Sequence, residues 1–430
     1  MTRTQTKKTV PMSKFLQFHT LTSYPGTLLN RDDAGFAKTL PFGNAKRTRV
    51  SSQCLKYHWR HYDGKHAIRK AGDMSIRSRR TFRKKIADEL IDDGFDERLT
   101  AAATFGILEM ARNGDVTKGK IKDNVQPVLE ADEPLDELTI KNIVVFGKPE
   151  IDYLKSVAKD TLTALKDGDY DEDSVAQTRD AIADLLSDKE LSNNLRGMSN
   201  AMGIDAAMHG RMVTSDVLAQ GDAAVHVAHA ITTHAQQRED DYFTAVDELH
   251  DEGTGGEEAG AALIQSKELT SGLFYSYVVV DVPLLVSNLE GCARSEWQDA
   301  DLTLTTDVLQ RFLHTITNVS PGAKLSSTAP YAKAEFVMVE SGEEQPRTLA
   351  NSFKNAVEGD DLLEASVRKL TQYTRDIDEM YGKTVDGEIV PHEDRVCATM
   401  AESESPAPRS TVSEIASDWI PSQIKSHASV

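Results

Sequence analysis

The run Leu273-Phe274-Tyr275-Ser276-Tyr277-Val278-Val279-Val280 is the strongest strand signal in the chain. Its aromatic and β-branched side chains fit a pleated, packed surface and fit a helix poorly. A lone strand has nowhere to place its backbone polar groups, so this run demands partners. Three segments offer themselves. Residues 15–22 are rich in aromatic and β-branched types; residues 225–232 place Val225, Val227, His229 and Ile231 on one side; and Phe336-Val337-Met338-Val339 closes the set. Two helices separate them. One begins at Ser51 or Ser52, either of which is a good N-cap, and the other spans about 297–318, carried by Leu302, Val308, Leu309, Phe312, Leu313 and Ile316.

In chain order this reads strand, helix, insertion, strand, long loop, strand, helix, strand. The expected fold class is α+β: a modified ferredoxin-like, RRM-like βαββαβ unit with a helical insertion and an extended hairpin. The insertion covers about 86–220, mostly helical and acidic, with Ile143-Val144-Val145-Phe146 as a short strand or buried segment. The 40 residues from 233 to 272 include Gly253-Thr254-Gly255-Gly256 and are long for a connection. A loop is expected from Ser23-Tyr24-Pro25-Gly26 through Asn30-Arg31-Asp32-Asp33 to Pro41-Phe42-Gly43, and helices at about 347–358 and 360–381 cover the sheet. Residues 1–11 read as an arm. From about 386 the chain starts as a linker, and Ile415, Trp419, Ile420 and Ile424 suggest a short helix near its end.

Charge sharpens the picture. The formal net charge of −19 speaks against nucleic acid, yet residues 1–90 hold 20 Lys and Arg against 6 Asp and Glu. A basic first fifth on an acidic body implies a focused polyanion site on a repelling protein. No apolar run reaches the roughly 20 residues of a membrane span, and no secretory signal is evident, so a soluble, cytoplasmic protein without membrane partners is expected. Cys54, Cys292 and Cys397 are scattered without a CxxC, which points away from disulfides and zinc.

The basic site centres on residues 46–60. In a helix from Ser52, Gln53, Lys56, Tyr57 and Arg60 share one face and Leu55 and Trp59 another, while Arg47 and Arg49 approach from the preceding segment. The exposed amides of the first turn suit a phosphate. The same residues also read as a capped surface helix with solvated charges. Farther on, 75–85 carries six Lys or Arg, again either a second polyanion contact or a solvated face.

Catalytic chemistry finds little support. His226 and His229 lie three apart on an expected strand, facing opposite ways, so with His234 they make a poor metal site. Asp32 and Asp33 read as a turn-forming pair more readily than as Mg²⁺ ligands. There is no G-x-S-x-G, Walker loop or H-E-x-x-H. No cofactor and no metal are expected. Phe274, Tyr275 and Tyr277 are able to stack bases but more often such a strand packs a core.

Several motifs, taken in order, carry a resemblance. Asn30-Arg31-Asp32-Asp33, the run Arg47 to Lys56, Gly210-Arg211-Met212, Ala228-His229-Ala230-Ile231-Thr232-Thr233-His234, Phe243-Thr244-Ala245-Val246-Asp247 and Pro321-Gly322-Ala323-Lys324 closely resemble the CasC family, the backbone subunit of the type I-E CRISPR surveillance complex Cascade. The resemblance covers about 12–381. It implies a palm (12–62, 222–234, 271–385), helical fingers (63–221), a thumb (235–270) and a tail (386–430). Copies would stack head to tail along CRISPR RNA, beside other Cascade subunits, kinking the RNA at intervals and presenting it to target DNA.

Carried over by position, the resemblance implies that Arg31, Lys38, Ser51, Gln53, Lys56 and Arg60 contact RNA phosphates or sugars. Arg47, Arg49, Ser52 and Lys324 join them from the adjoining motifs. Arg211 and Met212 would lie at the kink, and Tyr242, Phe243 and Thr244 at the thumb tip. Tyr57 stands where a relative has a basic residue, and Tyr242 replaces a Trp. The resemblance implies a subunit that is not an enzyme. Related backbone subunits of RNA-targeting complexes cleave RNA with a loop aspartate, whose place here is Asp33.

Overall fold

The computed structural model describes residues 14–114, 116–167, 174–187, 191–211, 221–246, 261–385 and 388–425. By internal contacts the chain falls into two units, one from residues 1–68, 226–282 and 302–430, the other from 69–225 and 283–301.

The first unit is built on an antiparallel sheet. Its strands are β1 (Phe15–Thr27), β2 (Thr39–Phe42), β3 (Ala45–Val50), β4 (Ala230–Thr232), β5 (Gln237–Val246), β6 (Ala261–Asp281), β7 (Phe336–Gly342) and β8 (Asp394–Thr399). They run in the order β8-β7-β1-β6-β4-β3-β2, with β5 on β6. The register sets Phe18 between Val278 and Val339. β1 alternates as its sequence requires. Leu16 and Phe18 point to the face covered by α1 (Ser52–His61) and α2 (Thr303–Asn318), where Phe312 meets Phe18 and Trp59 edge-on at centroid distances of 6.2 and 5.6 Å. Each of these fully buried rings contributes about 1.5–3 kcal/mol of transfer free energy.

The opposite face carries Leu21, Tyr275, Tyr277 and Met338, and it is closed by Leu349, Phe353 and α3 (Leu362–Tyr381) through Val367 and Leu370. The aromatics of β6 are therefore core residues, with Tyr275 at 2% exposure, and offer no stacking platform.

Several expected elements differ. The loop through Pro41-Phe42-Gly43 is instead the hairpin β2–β3, because Gly43 at φ +61° and Asn44 make a two-residue turn and Asn44 is gripped by Lys354 O and Ala356 N. The strand expected over 225–232 is two short pieces, Val225–Val227 and Ala230–Thr232. Only a short turn, Ala350–Phe353, forms where a helix at 347–358 was expected. The segment after 386 is not simply a linker. β8 pairs with β7, and a helical run over 412–425, opened by a Thr411/Glu414 capping box, buries Ile415, Ile420 and Ile424 and packs on α2.

The long middle connection is a hairpin arm, β5 paired with β6 from Gln237↔Ser271 to Val246↔Ala261. Residues 247–260, with the glycine cluster, lie outside the described residues. The arm leaves the sheet at Gly272, where a Cβ would come within 2.8 Å of Thr232 Cγ2 and 2.9 Å of His234 Nε2. His234 locks this corner: its Nδ1 donates to Ala235 O (2.7 Å) and its Nε2 accepts from Leu273 N (3.1 Å).

The second unit is helical. Glu97–Asn113, Lys118–Glu130, Lys148–Lys166 and Val175–Ser187 enclose a core of residues such as Ile107, Leu108, Val125, Leu154, Leu162 and Leu186. Ile76–Ser78 pairs with Val144–Phe146.

Candidate nucleic-acid interface

α1 begins where the sequence says it should. Ser51 sits in extended conformation and its hydroxyl accepts from Cys54 N (3.3 Å), while Asn30 Oδ1 receives Ser51 N (2.9 Å). The cap ties loop 30–38 to the helix start. Leu55 and Trp59 are buried, Gln53 and Tyr57 are exposed, and Ser52, Lys56 and Arg60 are half-buried, so the polar stripe lies on the surface. No acidic residue occupies the first turn, which leaves the positive end of the helix without a counter-charge of its own.

The loop before α1 is itself ordered by hydrogen bonds. Asp32 Oδ1 accepts from Ala34 N and Phe36 N, both at 3.0 Å, and Lys38 N donates to Asn30 O (3.0 Å). This holds Arg31, Asp33 and Phe36 exposed on the loop. Lys38 and Arg49 flank His229. Arg49 Nη1 lies 3.1 Å from His229 Nδ1, and burial, then the charges of Arg49 and Lys38, push the imidazole pKa down.

A third part comes from afar. His58 Nδ1 donates to Cys54 O (3.0 Å), leaving its Nε2 to accept from Gly322 N (3.2 Å), and Ala323 N donates to Leu28 O (3.0 Å). The Pro321-Gly322-Ala323-Lys324 loop is thereby fastened to α1 and to the 28–38 loop. Lys324, Arg31 and Lys267 converge on a groove of about 240 Å³ also lined by Phe36, Asp241 and Glu268. The Lys324 ammonium is pushed below the usual lysine range by its contact with Lys267, with partial burial and Arg31 adding to it. Lys267 Nζ stands 3.8 Å from the Phe243 ring centroid. Cations gathered this closely favour an anion between them.

Other residues fall elsewhere. Arg47 is a correction: it is fully buried, with Nη1 donating to Thr232 O (3.1 Å) and Thr233 O (2.6 Å) and Nη2 to Phe353 O (2.6 Å). It knits the sheet to the 350–353 turn and does not face the groove. Ser51 is buried as the cap. Arg211 is a second correction, since its Nη1 meets both oxygens of Glu150 (2.8 and 2.6 Å) and both side chains are fully buried. Met212 lies outside the described residues, as does the side chain of Thr244; Tyr242 is exposed on β5 and Phe243 half-buried beside Lys267. Of the basic run at 75–85, Arg83, Lys84 and Lys85 reach Asp136, Asp88 and Glu89, so those three are neutralised within the helical unit.

Sequence reasoning missed Lys267 and His229 as members of the cationic set. His229 stood inside a motif but was weighed only as a metal ligand. Lys267 had no signal beyond its place opposite Asp241 in the hairpin. Among the described residues no group of three or more His, Cys, Asp or Glu gathers to hold a metal ion.

These features define a mixed α+β chain whose antiparallel sheet carries a cationic surface at one helix and its flanking loops. Solved structures share the fold, and two of them serve for comparison. A chain of a "CRISPR RNA-guided surveillance complex, pre-nicking" superimposes with a TM-score of 0.70 at 22% identity, covering 96% of this chain and 99% of that one. A chain of a "CRISPR RNA-guided surveillance complex" gives 0.61 at 19%, covering 95% and 99%. A search of curated proteins finds no match. The model of the CT1975-like protein family matches residues 16–417, and the chain belongs to that family. The membership bears out, at the level of a CRISPR backbone family, the resemblance read from the motifs. Among the described residues no helix is long and apolar enough to cross a membrane.

Proposed function

We propose that this chain is a non-catalytic backbone subunit of a type I-E Cascade-like complex, binding guide RNA through the surface formed by loop 30–38, the exposed stripe of α1 and the Lys267/Lys324 groove. One observation carries the reading: cations from segments more than 200 residues apart in sequence converge on one groove beside a helix start that has no acid of its own. Such a surface grips a sugar-phosphate chain whatever its bases, leaving sequence to be read by pairing. The two similar structures belong to CRISPR RNA-guided surveillance complexes, which supports the assignment to a guide-RNA complex.

In this reading the first unit's sheet, with helices α1 and α2 on one face and strand order β7-β1-β6-β4 at its centre, is a ferredoxin-like palm. The hairpin β5–β6 is the thumb, and the helical unit is the fingers. Copies stack head to tail through unlike faces, so assembly stops only where the RNA ends. The thumb of one copy covers RNA held by the next, and the segments left between contacts pair with target DNA. Asp33 stands alone on its loop, the neighbouring Asp32 being occupied by the turn, and no observation favours cleavage.

The test is assembly on RNAs of graded length, with mass measured by light scattering. Copy number should climb in steps with RNA length and be independent of its sequence. A fixed stoichiometry across lengths, or protein that purifies from cells without nucleic acid and takes up none, refutes the proposal.

A further inference from the structure

The groove beside loop 30–38 contains one group for which a pure phosphate site has no use. Glu268, on β6, lines it together with Arg31, Lys267 and Lys324, yet keeps only 4% of its surface exposed. Lys267 and Glu268 are consecutive on the strand, so their side chains leave opposite faces, and Lys267 turns to the Phe243 ring and to Lys324. The partners of Glu268 are neutral amides. Ala37 N donates to Oε2 at 3.3 Å and Gln236 Nε2 to Oε1 at 3.4 Å, both at the long end for a hydrogen bond. Directly across the hairpin stands Asp240, a second carboxylate.

Each of these features works against the fold or against a polyanion. A buried carboxylate held only by neutral groups is costly, like charges opposite each other on paired strands are destabilising, and a negative group in the groove repels phosphates. The carboxylate is nevertheless fixed in place. Ala37 holds it from loop 30–38, and Gln236 holds it from the other side, its own N donating to Lys46 O (2.8 Å). A carboxylate has about four acceptor sites, and long bonds fill two of them here. What such a group recognises is a donor. A phosphodiester carries no proton at neutral pH and offers none. The backbone of RNA has a donor on each internal nucleotide, the ribose 2′-hydroxyl, and the backbone of DNA lacks it.

We infer that Glu268 reads the ribose: it accepts the 2′-hydroxyl of a nucleotide whose phosphates lie among Arg31, Lys267 and Lys324, so that the groove takes RNA in preference to DNA. The inference rests on the guide-RNA reading and sharpens it. The cations attract either backbone, whereas the carboxylate repels both and bonds only to the one that brings a donor.

The test is binding of the full chain to a single-stranded RNA and to the same strand with 2′-fluoro in place of each 2′-hydroxyl, which keeps the sugar pucker of RNA and removes the donor. Wild type should bind the hydroxyl strand on the order of tenfold more tightly, as expected for a hydrogen bond to a charged acceptor. Glu268→Gln keeps the shape and removes the charge, so it should erase most of that gap, chiefly by tightening the 2′-fluoro strand. Asp240→Asn, which removes an exposed charge from the same hairpin, should leave the gap in place. Single 2′-fluoro substitutions walked along the strand give a second reading without any variant: the penalty should recur at one nucleotide for each bound copy. Equal affinity for the two strands, a penalty spread evenly along the strand, or a gap that survives in folded Glu268→Gln overturns the inference. A variant that instead changes preference among base sequences also overturns it, since the donor is then a base amino group. Failure of the guide-RNA reading looks different. If RNA binds with a salt slope that ignores Lys56→Ala with Arg60→Ala, that reading fails while the 2′-fluoro gap still judges Glu268, and a chain that binds neither strand overturns both.

Discussion

Replacing Arg47 separates two accounts of the same residue. If its guanidinium served RNA, Arg47→Ala would lower RNA affinity and its salt dependence and leave folding nearly untouched. The structure demands the reverse. Three interior carbonyls, those of Thr232, Thr233 and Phe353, receive this one side chain. Hydrogen bonds to a charged donor are worth about 1.5–3 kcal/mol each, and removing the donor strands its acceptors. Against that sum stands the desolvation of a buried cation, which amounts to several kcal/mol. The net loss works out at about 3–5 kcal/mol, the range for breaking one side of a buried charged network. Urea unfolding followed by tryptophan fluorescence reads it, since Trp59 is buried against Phe312. The midpoint should fall sharply, while variant that remains folded binds RNA with the wild-type salt slope. A stable variant with a shallower slope would refute the reasoning.

Other outcomes follow from the same geometry. Gly272→Ala forces a methyl against Thr232 and His234 and should cost about 1–3 kcal/mol of stability, read by the same unfolding assay. His19 is fully buried as a neutral ring, receiving Tyr275 OH at Nδ1 (2.8 Å) and donating from Nε2 to Glu340 (2.9 Å). Burial pushes its pKa down, so the unfolded chain takes up a proton first. Stability should therefore hold above the usual histidine range and decline by up to about 1.4 kcal/mol per pH unit below it, a decline that His19→Gln removes. Lys267→Ala should weaken RNA binding for every sequence and reduce the salt slope by about one phosphate's worth, as filter binding across a salt series would show. Asp33→Ala should leave bound RNA as intact as in the wild type on a denaturing gel with Mg²⁺ present.

How much of this could be read from residues alone depends on the range of the interactions. α1 was legible in full because its cap, its buried pair Leu55 and Trp59 and its polar stripe all lie within ten residues. The strands 15–22, 273–280 and 336–339 were legible from side-chain type, though β1 and β6 run longer than their apolar stretches. Arg47 and Arg49 were not separable. They sit two apart on one strand, and only the arrival of the 232–233 carbonyls and Phe353 buries the first and leaves the second half-open. Arg211 was lost to Glu150 in the same way, through a partner 61 residues earlier. Lys267 joined the groove because the hairpin register and the 321–324 loop bring it to Lys324, a coincidence of two long-range contacts with no local trace. β8 escaped notice because it is a short edge strand whose apolar content, Val396 and Cys397, is too small to stand out.

The central claim is that the exposed stripe of α1 binds phosphates. The measurement that tests it most directly is the dependence of RNA affinity on salt for wild type and for Lys56→Ala with Arg60→Ala. Each neutralised phosphate on a single strand contributes about 0.7 to the slope of log affinity against log salt. The double variant should lose about 1.4 from that slope and weaken equally for unrelated RNA sequences. A slope that stays at the wild-type value would contradict the account.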